Sequence, residues 1–472
     1  MNRAFYEMMY EYYSTQILFG HLKFGEKLPS IEHLCYKFQV APQTARNTLY
    51  KLRNNGFIEI SAGKKATVIY KSTNEEIKSY INNYYLKRVD SITDINEIAP
   101  SMINPILKKG YKYLEKEDMN ILYNTILNTD PRDTYLSFTM GSAILEKLGN
   151  KLAMNLFNKI ILFYKFPYFD GINYNFYSFM EDNDINVQDR KNYKDAIDNI
   201  LKSCKNHKTD EFLKNYFIFE DILLEDIQKY IKYPNDKSKI SNEQIPFIWN
   251  IYRDRPQKCY SVAEKIIGEI FYGTYKINSY LPSFKKMEEK YNVSFSTIRR
   301  TINLLGTLGI VKTIPRKGTK VSIENIDLDN FNNKVINKNI KLGYESLEIL
   351  KLNALEMNEL IFSKFSNDDF DNIKKKIISL DNKKSLDIIF AYLSSIILFS
   401  KSKFIKMVYT RYFALILWLY PINIIYEEKE TIDINHILKI LDKKDSNAFS
   451  NIMIKLLENV QDITKSVLQK KE

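Results

Sequence analysis

Apolar residues recur at helical spacing along most of the chain, and two short places read instead as pairs of strands. From Tyr6 to Gly20 the apolar positions Met9, Tyr13 and Ile17 predict a helix, closed by a glycine suited to the left-handed position after a helix end. Ser30 can cap a second helix whose inner face is Ile31, Leu34 and Phe38. Gln39-Val40-Ala41 is short enough for the turn of a helix-turn-helix, and Pro42 fits the first position of a third helix. In that helix Ala45, Leu49 and Leu52 form the buried stripe, leaving Gln43, Thr44, Arg46, Asn47 and Tyr50 to point outward. After Gly56, Phe57–Ile60 and Ala66–Tyr70 read as two strands, joined by a basic turn with Lys64 and Lys65. Helix, helix-turn-helix and two-stranded basic hairpin make a winged helix.

The pattern returns. Leu28–Gly56 and Leu281–Gly309 align without a gap, 253 positions apart, with 10 of 29 residues identical. In the second copy Val262–Tyr272 is the first helix, ending at Gly273, and Ser283 caps a helix with Phe284, Met287 and Tyr291 inward. Ser294 can cap the third helix, whose stripe is Ile298, Ile302 and Leu305 and whose outward residues are Ser296, Thr297, Arg299, Arg300 and Asn303. The second wing runs Ile310–Ile314, then Pro315-Arg316-Lys317-Gly318, then Thr319–Ile323, with the more basic tip. The outward residues are types that hydrogen-bond base edges and phosphates, and basic wing tips suit the DNA backbone. The candidate DNA-binding set is therefore Ser30, Gln43, Thr44, Arg46, Asn47, Tyr50, Lys64 and Lys65, with Ser283, Ser296, Thr297, Arg299, Arg300, Asn303, Arg316, Lys317 and Gly318.

These residues resemble the winged-helix domain of the GntR family of bacterial transcription regulators. That family's pattern is a glycine, LPS, an apolar helix, Val-Ser-Arg-x-Thr-Val-Arg and a Gly-x-Gly-Thr wing. Here it stands as Gly20, Leu28-Pro29-Ser30, Val40-Ala41-Pro42-Gln43-Thr44-Ala45-Arg46 and Gly63-Lys64-Lys65-Ala66-Thr67. The second copy reads Gly273, Leu281-Pro282-Ser283, Val293-Ser294-Phe295-Ser296-Thr297-Ile298-Arg299 and Arg316-Lys317-Gly318-Thr319. The arginine after the family's serine is Pro42 in one copy and Phe295 in the other, and each wing keeps one of two glycines.

Between and after the wings the period stays helical. Glu75–Val89, Asp118–Leu127, Leu136–Leu148 and Leu152–Phe163 read as helices in the first half. Tyr344–Phe362, Asp369–Ser379, Leu386–Phe399, Lys403–Leu419 and Ile434 onward do so in the second. Leu136–Asn150 lines up with Ile388–Ser402 at an offset of 252, which favours duplication of the whole chain. The expected architecture is mainly α: winged helices at 1–72 and 259–323, helical effector or dimerisation-type bundles at 75–230 and 335–472, and a linker at 231–258. The resemblance implies helical bundles of the family's FCD type.

Composition narrows the function. The 472 residues carry a formal charge of +12, which favours an anionic partner. Three cysteines and four histidines leave little for a disulfide framework or a metal site, and no phosphate-binding loop, dinucleotide fingerprint or HExxH occurs. Asp182-Asn183-Asp184 begins like a calcium loop but lacks the glycine and glutamate it needs, at Val187 and Tyr193. The N-terminal segment lacks a signal-peptide core and the longest apolar run noted, Phe413–Tyr420, is eight residues, so a soluble cytoplasmic protein is expected. The expectation is a non-enzymatic DNA-binding regulator with no cofactor, acting as a single-chain pseudo-dimer on an asymmetric double-stranded operator. A small organic effector and further homodimerisation are compatible with it. The rivals are a plasmid-type replication initiator and a protein-interaction scaffold built on winged helices.

Overall fold

The computed structural model describes residues 3–38, 40–61, 63–128, 136–164, 187–232, 243–251, 258–323, 326, 328–380, 384–426 and 432–469. The chain divides into two compact units. The first comprises Met1–Glu97, Leu107–Asn150 and Met154–Ile248; the second comprises Ile98–Ile106, Lys151–Ala153 and Trp249–Glu472.

The first unit opens with α1 (Arg3–Leu18), α2 (Ile31–Phe38) and α3 (Pro42–Asn54), followed by a hairpin of β1 (Ile58–Glu59) and β2 (Thr67–Val68). Met9, Tyr13, Ile17, Leu34, Ala45, Leu49 and Leu52 are buried in one core with Ile58 and Val68, as the periodicity predicts. Burying such side chains contributes roughly 1.5–3 kcal/mol each. Ile31 is only partly buried, and the Phe38 side chain lies outside the described residues. The strands are shorter than the expected Phe57–Ile60 and Ala66–Tyr70, because only Ile58 pairs with Val68 and Glu59 with Thr67. The bundle elements are α4 (Asn74–Leu86), α5 (Val89–Gly110), α6 (Lys116–Asn128), α7 (Leu136–Leu148), α8 (Lys151–Tyr164), α9 (Val187–Lys205) and α10 (Thr209–Lys232). Where Glu75–Val89 was expected as one helix, α4 starts from a Thr73–Glu76 capping box, stops at Leu86, and α5 begins at Val89.

The second unit repeats the plan with α11 (Lys258–Phe271), α12 (Phe284–Tyr291), α13 (Phe295–Leu308), β3 (Val311–Ile314) and β4 (Gly318–Val321). Its helices continue with α14 (Lys334–Leu352), α15 (Ala354–Lys364), α16 (Asn367–Ile378) and α17 (Ser385–Phe399). They end with α18 (Lys403–Ile416), α19 (Tyr420–Ile425), α20 (Ile434–Lys443) and α21 (Ser446–Gln469). The expected single helix Tyr344–Phe362 is broken at Asn353, whose backbone leaves the helical region at φ −103, ψ 9. Likewise Ile434 onward is two helices, because Lys444 closes α20 in the left-handed conformation and lets α21 fold back on it. Gly343 lets α14 approach α18 closely, since a Cβ there would lie 2.8 Å from the Leu415 carbonyl oxygen.

The two bundles share their packing. Helix α10 packs on α9, α7 and α4, as α21 packs on α20, α17 and α14; α6 touches α7 and α9 as α16 touches α17 and α20. Helices α10 and α21 are both 24 residues long. Duplication therefore extends beyond the winged helices, and every described element after each wing is helical.

Part of the expected linker is fixed chain. In the first unit the Ile245 amide donates to the Lys87 carbonyl (2.7 Å), Gln244 Nε2 to that of Leu86 (2.8 Å), and Phe247 packs on Phe163. In the second unit Trp249 is fully buried against Tyr412. The apolar residues at 245, 247 and 249 are the reason. Residues 233–242 of the linker, and the calcium-loop-like stretch at 182–186, lie outside the described residues.

One run, Lys403–Ile425, is long and apolar enough to cross a membrane, which the eight-residue run did not reveal. A 3₁₀ turn at Leu417–Leu419 interrupts it, and 61% of its window is buried within the protein, the pattern of a core helix.

Candidate nucleic-acid interface

The two winged helices share their main tying bonds at the 253-residue offset. The Leu28 amide donates to the Ala66 carbonyl at 2.8 Å, and Leu281 to Thr319 at 2.8 Å. Val68 donates to Glu26 and Val321 to Ser279, while Phe57 donates to Leu52 and Ile310 to Leu305. The first two pairs pin the wing to the loop that carries LPS, and the last joins the third helix to its wing. The buried Thr48 hydroxyl donates to the Tyr6 and Thr44 carbonyls, and the Thr301 hydroxyl, its counterpart, to those of Cys259 and Thr297. Each threonine thereby ties its third helix to the start of the first, fixing the angle at which the third helix is presented.

On α3, Gln43, Arg46 and Tyr50 are exposed and Asn47 is half-exposed. Gln43 Nε2 donates to Asn47 Oδ1 (2.9 Å), so the two amides form one preset polar surface. Arg53 stacks over the Tyr50 ring at 5.0 Å. Thr44 does not belong to this face: its side chain is 5% exposed, beside Thr48. The buried arc of α3 is wider than the Ala45, Leu49 and Leu52 stripe, because α1 packs along α3 and covers that flank.

On α13, Ser296, Arg299, Arg300 and Asn303 are exposed and Thr297 is half-buried. Ser294 occupies the cap position, but its hydroxyl bonds the Ser296 and Thr297 hydroxyls at 3.0 Å rather than a backbone amide. Ser30 and Ser283 do cap as expected, accepting from the amides of His33 (3.2 Å) and Lys286 (3.4 Å). Phe295, at the place of the family's arginine, is 51% exposed and rests on Phe284. Sequence reasoning noted it only as a departure; an exposed aromatic at the head of a recognition helix is suited to apolar contact with a thymine methyl.

The wings differ in length and chemistry. The second has four paired positions, Val311↔Val321 to Ile314↔Gly318, against two in the first. Both tips turn through a left-handed residue at the same place, Gly63 (φ +69) and Arg316 (φ +64), and both close with one bond: Lys64 to Ser61 (3.2 Å) and Lys317 to Ile314 (3.1 Å). Lys64, Lys65, Arg316, Lys317 and Gly318 are all exposed. Neither the tip cations nor Arg46, Arg299 and Arg300 are ion-paired among the described residues, so their charge is available to phosphates.

Below the second reading head, Tyr291 donates its hydroxyl to Glu269 (2.6 Å), and Lys290 pairs with the same carboxylate (2.8 Å). Burial and the Glu269 bond hold the Tyr291 phenol far above its usual range, so it stays a donor. This network ties α12 to α11. Among the described residues no group of three His, Cys, Asp or Glu side chains is placed to hold a metal ion.

The family model for bacterial regulatory proteins of the GntR family matches residues 5–68 and again 260–321. No curated protein matches the chain significantly. Among solved structures, a Streptococcus agalactiae GntR is similar at 18% identity, over 43% of this chain and 99% of that one, with a TM-score of 0.19. Escherichia coli McbR/YncC is similar at 13% identity, over 48% of this chain and 97% of that one, with a TM-score of 0.20. Two matched regions, each coinciding with a complete winged helix in its own compact unit, establish that the chain carries tandem GntR-family domains of the bacterial regulatory type.

Proposed function

We propose that this GntR-family regulator reads an asymmetric operator on double-stranded DNA with both heads of a single chain, as a covalent pseudo-dimer. The observation that carries the reading is the contrast between frame and face. The bonds that join wing, LPS loop and third helix recur in both frames, while the exposed helix residues differ at corresponding places: Gln43 against Ser296, Asn47 against Arg300, Tyr50 against Asn303. Only Arg46 and Arg299 keep their type. Arginine bidentate to guanine is the commonest specific contact, so a shared guanine is expected in two otherwise unlike half-sites. Each third helix would enter a major groove, with Lys64 and Lys65 or Arg316 and Lys317 along adjacent backbone or minor groove. The bundles serve as effector or dimerisation-type domains, and the protein works without catalysis or cofactor in the cytoplasm.

Selection of bound fragments from a random duplex library by the full chain tests this. Two unlike half-sites are the expected product; a perfect palindrome would refute the asymmetry. Undetectable duplex binding at low salt would favour a protein-interaction scaffold, and preference for tandem repeats a replication initiator.

A further inference from the structure

We propose that the second unit captures a small anion, bearing a carboxylate or phosphate group, in a cleft between its winged helix and its bundle. The cleft, open on one side, offers about 310 Å³, at the small end of ligand sites. Its wall combines Lys258 and Lys265 of α11, Tyr291 and Asn292 at the turn of the helix-turn-helix, and Arg411 of α18. The proposal deepens the DNA-binding reading, resting on it for the consequence of capture and not for capture itself.

Charge selects the ligand class. Lys258 and Lys265 stand two turns apart on one helix and face the same cleft as Arg411. None of the three is ion-paired among the described residues. The one carboxylate among the described lining residues, Glu264, is 5% exposed and accepts from Trp418 Nε1 at 3.1 Å. Among the described lining residues, three cations thus face one engaged carboxylate. Arg411 is held in place, because its Nε donates to the Trp249 carbonyl at 3.2 Å, and its two terminal nitrogens remain for a forked bond to a carboxylate or phosphate.

Position gives the capture a consequence. The wall residues Tyr291, Asn292 and Val293 run directly into Ser294, the cap of the recognition helix α13. Asn292 sits in the left-handed conformation (φ 51), so the turn has a defined shape that a ligand can hold. An anion shared by Arg411 on the bundle and the lysines on α11 would join the winged helix to the bundle of its own unit. A ligand that favours one arrangement of that joint shifts DNA affinity by its differential affinity for the two, and DNA shifts ligand affinity by the same factor.

The chain carries its own reporter. Its two tryptophans, Trp249 and Trp418, bond to Arg411 and Glu264 at this cleft. The full-length protein is titrated with inorganic phosphate and, separately, citrate, while tryptophan emission is followed against sodium chloride at matched ionic strength. A saturable change with phosphate or citrate is expected, and which one responds identifies the anionic group. Lys265→Gln, at an exposed position that leaves the fold intact, should weaken that midpoint about tenfold, and Arg411→Gln more. No saturable change, or one that both substitutions leave unaltered, overturns the proposal. Duplex binding is then measured with and without the anion. A shift in affinity that Lys265→Gln abolishes supports the coupling. Weaker duplex binding by Lys265→Gln with no anion present assigns these cations to the DNA backbone and overturns the proposal. A chain that captures the anion but binds no duplex supports the site while refuting the DNA reading.

Discussion

Arg316 at the tip of the second wing makes a prediction in which stability and binding move in opposite directions. Its φ of +64 lies where L residues other than glycine are strained, by roughly 1 kcal/mol. The corresponding tip residue in the first wing is Gly63, at φ +69 with the same closing bond. Arg316→Gly removes that strain and adds back backbone freedom in the unfolded chain worth ~0.4–1 kcal/mol, so the folded state should be as stable or up to ~0.5 kcal/mol more stable. The same change removes one cation. Each phosphate neutralised contributes about 0.9 to the slope of log affinity against log salt. Over a fourfold rise in salt the variant should therefore lose roughly 3.5-fold less affinity than the parent. The reciprocal change, Gly63→Arg, should cost up to ~0.5 kcal/mol on the same reckoning and steepen the slope by about 0.9. Denaturant midpoints give the first quantity, and fluorescence anisotropy of a labelled operator between roughly 50 and 200 mM salt gives the second. Destabilisation by Arg316→Gly, or an unchanged salt slope, would show that the tip is not left-handed or that the wing does not lie on phosphates.

Two further outcomes follow from buried groups. Thr301→Val leaves the Cys259 carbonyl without its 3.1 Å donor inside the second winged helix and should lower stability by roughly 1–2 kcal/mol, as should Thr48→Val in the first; an unchanged unfolding midpoint would mean that these hydroxyls do not set the helix angle. Burial pushes the Glu220 carboxyl, on α10 beside Ser137 and Tyr216, up to about 7. Its folded value lies above its unfolded one, so the native state binds the extra proton and stability falls as pH rises from about 4.5 to about 7. Glu220→Gln should flatten that decline in a series of denaturant titrations, and a decline of equal steepness in the variant would place the carboxyl in water.

Local chemistry made the reading heads legible. Ser30 and Gly56, with their counterparts Ser283 and Gly309, and the helix-starting Pro42 have geometry fixed by one or two neighbours, and the structure keeps them. The burial of Thr44 was not legible, because it depends on α1 flanking α3 and no residue near Thr44 encodes that. The break at Asn353 escaped for a related reason: the apolar period runs on through it, and only packing of α14 and α15 separately on α21 divides them. The cleft was furthest from view. Its wall draws on residues near 250, 260, 292 and 411, each unremarkable in its own window.

The repeated frame also bears on how the protein behaves in a cell. Regulators made of identical subunits must meet before they can read two half-sites, so occupancy falls as the square of concentration once copies are scarce. Here both heads are translated together. On the proposed single-chain reading, occupancy tracks chain number in direct proportion, down to a few copies. On that reading a damaged copy does not poison an intact one, because neither head depends on a second chain. Each half can also accumulate substitutions that its counterpart never shares, which is how one frame comes to carry two unlike faces.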